Sequence, residues 1–471
     1  MRLTAEAAQR FSDHPALREG SQVLTWAQVA TEVTARTKDL GAAGAGPGLL
    51  YGWEGAASMD GLLELFSVLE TGAVLLPINP KLSAGERARL LETLPLAGLS
   101  VVSPGGIVRH RLAGDAPFPI SSLPGAPVVD VASARALIWT SGTSGQPTGV
   151  LLGEAAIRAH ISMVSERLGL SAGDAWAATL SPAHVGGLML ILRAAVLGSA
   201  IECGDGFDAL AFETAAAEGR ITHTSLVPTM LVRLLAHLNG REISTGLRAV
   251  LIGGAHAPPQ LLVRAAAAGI PVCTTYGMTE MCSQVATAIP DEISMPGHSG
   301  RPLSGVDVRI SPEGEILLRG STMALRRGLR SDEGFRLESL SQGGWFHTGD
   351  VGTLDAHGYL RVSGRLGDRI ISGGVNVDPI SVEAALLSLP SVNEALVCGV
   401  PDEEWGERVA ALVVEADPAG TPTPRPGLRD ALRDRLAGAT LPRLILSVPA
   451  LPTNVNGKAD RRAAAELLAQ F

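Results

Sequence analysis

The stretch Trp139-Thr140-Ser141-Gly142-Thr143-Ser144-Gly145-Gln146-Pro147-Thr148-Gly149-Val150 places three glycines and a run of Ser and Thr directly behind a short apolar segment. Glycine lets backbone N–H groups come close to a ligand, and hydroxyls add donors, so phosphate oxygens suit such a loop. In isolation an ordinary Ser/Gly turn reads the same way. Four more blocks follow. Thr275-Tyr276-Gly277-Met278-Thr279-Glu280 sets a carboxylate behind an aromatic and a glycine. Gly344-Trp345-Phe346-His347-Thr348-Gly349-Asp350 ends on an acid. Gly358-Tyr359-Leu360 leads into Gly364-Arg365-Leu366-Gly367-Asp368-Arg369-Ile370-Ile371-Ser372-Gly373-Gly374. Pro452-Thr453-Asn454-Val455-Asn456-Gly457-Lys458 closes the series on a cation.

These blocks, in this order, resemble the adenylate-forming superfamily of acyl-CoA synthetases, adenylation domains and luciferases, over nearly the whole chain. The resemblance implies an α/β fold: a large multi-layer N-terminal domain with mixed sheets, residues 1–365, and a small mobile α+β C-terminal lid, residues 366–471. It implies that a carboxylate attacks the α-phosphorus of ATP and expels pyrophosphate. The acyl-adenylate then passes to coenzyme A. Positioning and charge neutralisation carry such a step.

The resemblance also assigns roles. Thr140, Ser141, Gly142, Thr143, Ser144 and Gly145 cradle the β- and γ-phosphates. Thr279 meets the α-phosphate, and Glu280 holds Mg2+, a hard cation that favours carboxylate oxygen. Tyr276 offers adenine a flat apolar face, with Gly277 and Met278 beside it and Gly253, Gly254 and Ala255 as a backbone wall opposite. Asp350 accepts from the ribose hydroxyls, assisted by Arg365. Lys458 spans the attacking carboxylate and the α-phosphate. Gly367 stands at the hinge, where glycine crosses φ/ψ space cheaply. Plainer readings stand beside these: a helix cap for Glu280, a core residue for Tyr276, turns for Asp350 and Gly367, solvated surface for Arg365 and Lys458.

One position departs from the pattern. The family's phosphate loop usually carries Lys where this chain has Thr148, which removes a positive charge beside the departing pyrophosphate. For the acyl group, three segments are expected near the pocket: Ser181 to Gly187, Thr222 to Thr229 and Tyr276 to Val285. In detail they resemble o-succinylbenzoate-CoA ligases of menaquinone biosynthesis. That substrate has two carboxylates and activates one, so the other needs a cation or strong donors. His184 and Arg193 are the expected substrate residues, Arg193 lying nine positions on within an apolar run. Its plainer reading is a side chain that snorkels to the surface. Three alternatives stay open: an aryl- or fatty-acid-CoA ligase of another pathway, an acyl-adenylate donor to a carrier protein, and a non-catalytic ATP-binding relative. A homodimer is a further open partner.

The elements that position these blocks follow a strand-then-loop plan. Met59 to Thr71 has helical periodicity and runs into the apolar strand Ala73 to Pro77. Ala136 to Trp139, Val250 to Ile252 and Pro271 to Tyr276 are short buried strands that each end in small residues. In open α/β sheets, ligands sit beyond the carboxyl ends of such strands. Past residue 300 the texture changes to short antiparallel strands, Val306 to Ile310 and Gly314 to Leu318. A last α+β segment follows Arg365, with a helix from Ser381 to Leu389, a strand from Asn393 to Val400 and a Pro/Gly-rich stretch from Pro418 to Gly427.

Composition bounds the rest. The 471 residues are 46% hydrophobic and only 4% aromatic, so the core is mainly Ala, Leu, Val and Ile. A net charge of −9 argues against a nucleic-acid partner, which would call for a basic face. Cys203, Cys273, Cys282 and Cys398 form no C-x-x-C pair, which argues against a zinc site and fits a reducing cytoplasm. The N-terminus shows no signal-peptide pattern. Val185 to Ile201, the most apolar stretch, is interrupted by Arg193 and reads as a core helix, not a membrane span.

Overall fold

In the strand Ala249–Ile252, successive side chains point to opposite faces. Ala249 and Leu251 enter one core, Val250 and Ile252 another. Both faces are covered, as a parallel sheet requires. This computed structural model describes residues 1–112, 119–123, 133–140, 148–243, 246–292, 298–331, 334–415, 420–453 and 459–471. By contact density the chain divides into two units: Met1–Asp307 with Arg319–Phe346, and Val308–Leu318 with His347–Phe471.

The first unit carries two sheets. Across the described residues one is ordered Arg301–Pro302, Ser283–Thr287, Val272–Met278, Ala249–Ile252, His223–Leu226, Ala175–Ala177, Ala200–Glu202, Pro15–Glu19, Gln22–Thr25. It is parallel through its middle and antiparallel at both margins. The other runs Gly334–Glu338, Arg326–Ser331, Thr148–Gly153, Ala134–Thr140, Val74–Ile78, Leu50–Glu54, Leu96–Ser103, Gly106–Arg111. Helices Met59–Glu70, Glu154–Leu168 and Val185–Leu197 share one core with Leu17 and Ile201 of the first sheet and Trp53 and Leu75 of the second. Leu62, Leu65 and Phe66 are fully buried there, each worth roughly 1.5–3 kcal/mol. Helices Ala209–Ala217, Pro228–Leu238 and Pro259–Ala267 cover the outer face of the first sheet.

Local chemistry sets the ends. Ser58 accepts a hydrogen bond from Gly61 N and starts Met59–Glu70. Gly198, at φ 74°, stops Val185–Leu197 so that the chain can turn into Ala200–Glu202. The apolar run is thus a core helix followed by a strand. No helix among the described residues is long and apolar enough to cross a membrane.

In the second unit the antiparallel pair Val392–Asp402 and Gly406–Glu415 again splits its side chains. Val397, Val409 and Ala411 pack with Val382 and Leu386 of the helix Pro379–Leu387. Leu396, Cys398 and Leu412 pack with Ala464 and Leu468 of Arg461–Leu468. The helix expected from Ser381 starts two residues earlier, because Asp378 accepts from Ile380 N and Pro379 presets φ at the first turn.

Candidate active site

In the first unit the parallel strands Ala175–Ala177, His223–Leu226, Ala249–Ile252 and Val272–Met278 lie side by side and run the same way. Their carboxyl ends therefore open on one edge. Gly253-Gly254-Ala255 leaves that edge directly after Ile252, and Tyr276 sits buried near the end of the neighbouring strand. Gly253 has no room for a side chain: an added Cβ would stand 2.3 Å from Thr275 Oγ1. Gly254 needs its φ of 78°. Gly254 and Ala255 are exposed.

Thr279 and Glu280 form a one-turn 3-10 segment, Thr279–Met281, whose N-cap residue Met278 makes no side-chain capping bond, and the Glu280 carbonyl accepts from Ala324 N at 2.8 Å. The segment is unusually strained. Cys282 (φ 57°) and Ser283 (φ 107°) both take positive φ. The ladder between Tyr276 and Gly277 slips against Ser283–Thr287. Gly277 is forced by this approach, since a Cβ there would lie 1.9 Å from Ser283 O. Met278 precedes the turn and is part-buried.

In the second sheet Thr140 ends its strand opposite Thr148. The Thr140 hydroxyl lies 3.0 Å from the Thr148 hydroxyl and 3.2 Å from its carbonyl oxygen. The residue standing where the family has a cation is thus bonded across the mouth of the loop. Ser141, Gly142, Thr143, Ser144 and Gly145 lie outside the described residues.

His184 occupies the N-cap position of Val185–Leu197. Two turns on, Arg193 is buried, 2% exposed, so the surface reading of this side chain does not hold. The guanidinium carbon lies 4.3 Å from the centre of the Trp176 ring. Nη1 donates to Gln284 Oε1 at 3.3 Å, and Nε has no hydrogen-bond partner. Among the described residues no carboxylate forms an ion pair with it. Burial pushes the Arg193 pKa down to about 9, so it remains a cation at neutral pH. His160, also fully buried, accepts Gln284 N–H at Nε2 (3.0 Å). Burial first, then the Arg193 charge, hold its pKa down to about 3. Trp176, His160 and Gln284 were not singled out in the sequence as partners of Arg193. Gln284 lay inside an expected pocket segment, but nothing local marked the other two.

In the second unit Asp350 and Arg365 face each other across the pair Phe346–Leu354 and Leu360–Arg365. Arg365 Nε stands 2.8 Å from Asp350 Oδ1. Asp350 is buried at 5% exposure within a strand, which excludes the turn reading. Gly367 lies in the short turn Leu366–Asp368, without positive φ and with open space around it. Next to it, Asp368 pairs with Arg461 at 3.3 Å. Lys458 lies outside the described residues; Thr453 and Ala459, on either side of it in sequence, form an isolated antiparallel bridge. Burial holds the thiols protonated at neutral pH, raising Cys203, Cys273 and Cys282 to about 12 and Cys398 to about 11.

A family model described as AMP-binding enzyme matches residues 4–326, and one described as AMP-binding enzyme C-terminal domain matches 381–458. The chain is 32% identical to a 2-succinylbenzoate--CoA ligase of Bacillus licheniformis, with 97% of each chain covered. It is 37% identical to one of Bacillus cereus, over 72% of this chain and 71% of that protein. Its fold matches the o-succinylbenzoate CoA synthetase of Bacillus subtilis in complex with the acyl-adenylate intermediate, at TM-score 0.83, 26% identity, 98% of this chain and 97% of that one. The same Bacillus subtilis synthetase in complex with ATP and magnesium ion matches at TM-score 0.82, 26% identity and 98% of each chain.

Proposed function

The chain belongs to the AMP-binding enzyme family, and from that premise we propose that it activates the succinyl carboxylate of 2-succinylbenzoate with ATP and passes the acyl group to coenzyme A. It is an AMP-forming acid–thiol ligase that uses ATP with Mg2+ and takes coenzyme A as co-substrate. The observation that carries the choice of acid is Arg193: a buried cation with no acidic partner among the described residues. A buried charge is costly unless paired. A substrate with a second, unreacting carboxylate supplies the missing charge.

The remaining roles are assigned on this reading. Thr140 to Gly145 hold the β- and γ-phosphates and Thr279 the α-phosphate. Among the described residues no cluster of three or more acids, His or Cys could bind a metal alone. Mg2+ is assigned to Glu280 and to the phosphates it arrives with, as this ion often binds through one carboxylate and substrate phosphates. Tyr276, Gly277 and Met278 receive adenine against Gly253, Gly254 and Ala255, which have no side-chain bulk to obstruct it. Asp350, oriented by Arg365, takes the ribose. Lys458 neutralises charge as the carboxylate attacks. Gly367 needs no glycine in the conformation seen, which fits a requirement that arises only when a lid of residues 366–471 rotates. The test is ATP–pyrophosphate exchange over a panel of acids, followed by coenzyme A. Exchange dependent on 2-succinylbenzoate, then thioester on addition of coenzyme A, supports the reading. Exchange with monocarboxylic acids alone removes the substrate, and adenylate that coenzyme A cannot discharge points to a carrier-protein acceptor.

A further inference from the structure

Gln284 is 6% exposed and meets three partners at once. Its N–H donates to His160 Nε2 at 3.0 Å. Its Nε2 donates to Thr287 Oγ1 at 2.8 Å. Its Oε1 accepts from Arg193 at 3.3 Å. The amide can point only one way, because an NH2 group turned toward a guanidinium would face donor to donor. Because His160 accepts at Nε2, it is the neutral tautomer and adds no second charge beside Arg193. The backbone at this point is set by the two positive-φ residues before it and by the close approach of Gly277 to Ser283 O. Strained backbone persists where the surroundings over-determine it, and here it fixes where the Gln284 side chain begins.

We propose that Gln284 is the positioning residue that makes Arg193 selective for a second carboxylate. It holds the guanidinium with a neutral acceptor, against the Trp176 face, and so leaves its charge uncommitted. An acid at position 284 would satisfy Arg193 internally and compete with the substrate. An apolar residue would leave the guanidinium free to reorient. The neutrality of the amide is the specificity device. This rests on the substrate reading above, and it adds why a buried cation without an acid is built here at all.

The test is Gln284→Glu, nearly isosteric, with Gln284→Met as the second variant. Two readouts are taken on the purified enzyme. The first is the thermal midpoint without substrate. The second is the ratio of kcat/KM for 2-succinylbenzoate to that for 4-oxo-4-phenylbutanoate, which lacks the ring carboxylate. Gln284→Glu should raise the midpoint, since it pairs Arg193, and should lower the ratio about 100-fold through KM for the dicarboxylate. ATP KM and turnover of the monocarboxylate should stay near wild type. Gln284→Met should lower the ratio about tenfold without raising the midpoint. A ratio unchanged in both variants, or an equal loss for both acids, overturns the proposal, because a merely structural residue would act on both alike. If wild type shows no preference for the dicarboxylate while Gln284→Glu still raises the midpoint, the substrate reading fails and the Gln284–Arg193 arrangement stands. If Gln284→Glu does not fold, the ratio in Gln284→Met decides alone.

Discussion

Arg193→Met separates a buried functional cation from a structural one. Methionine keeps much of the arginine stem and its packing. In the free protein Arg193 is charged, fully buried and unpaired with any described acid, and burial lowers its pKa from the usual guanidinium range, by three to four units, to about 9. Each pKa unit is 1.36 kcal/mol, so the buried charge costs on the order of 5 kcal/mol. Losing it leaves Gln284 Oε1 without its donor, about 1–3 kcal/mol. The Trp176 contact, about 2 kcal/mol when desolvated, is lost as well. These nearly cancel. The variant should therefore be about as stable as wild type, against the 3–5 kcal/mol loss expected when one partner of a buried ion pair is removed. Activity should move differently. A charge-assisted pair in a desolvated site is worth about 2–5 kcal/mol on truncation, so kcat/KM for 2-succinylbenzoate should fall by about 30-fold to several thousand-fold. A monocarboxylate analogue should be nearly unaffected. Urea unfolding and steady-state kinetics on both acids are the assays. A large loss of stability together with an equal loss on both acids would refute the reasoning.

Gly277→Ala should cost about 3 kcal/mol or more and weaken ATP binding, because the atom in the way is backbone and cannot swing aside; urea unfolding and the ATP KM in pyrophosphate exchange check this. His160 titrates near 3 folded and near 6.5 unfolded, so the unfolded state binds the extra proton below 6.5. Its contribution is complete above pH 6.5 and is lost as pH falls toward 3, by about 1.4 kcal/mol per unit; the urea midpoint of His160→Gln should show a correspondingly shallower decline between pH 6.5 and 4. Lys458→Ala should cripple adenylation yet spare thioester formation from supplied acyl-adenylate, and equal loss in both half-reactions, followed separately, would remove its assigned role. Thr148→Lys should lower the ATP KM or raise the adenylation rate, although it breaks the Thr140–Thr148 contact; unchanged constants would mean that another cation already serves the pyrophosphate.

The family, the order of the motifs and most element identities were legible along the chain because they depend on local chemistry. Short apolar strands run into loops of small residues, and the helix Met59–Glu70 repeats with the helical period behind Ser58. Arg193 was visible as an anomaly, an ion inside an apolar run. Other features had to wait for the fold. Whether Arg193 reached solvent or stayed inside depended on Trp176, His160 and Gln284, which come from a strand, a helix and a strand distant in sequence. No spacing rule links such residues, because long-range packing brings them together. Gly277 carried a glycine's signature, but its cause, the carbonyl of Ser283 on the adjacent strand, exists only once the ladder has slipped by a residue. Asp350 was expected at the ribose with a turn as the plainer reading, and only strand pairing placed it opposite Arg365. Residue types set what each group could do; the register between strands and the burial of side chains such as Arg193 set which groups stand together, and at what electrostatic cost.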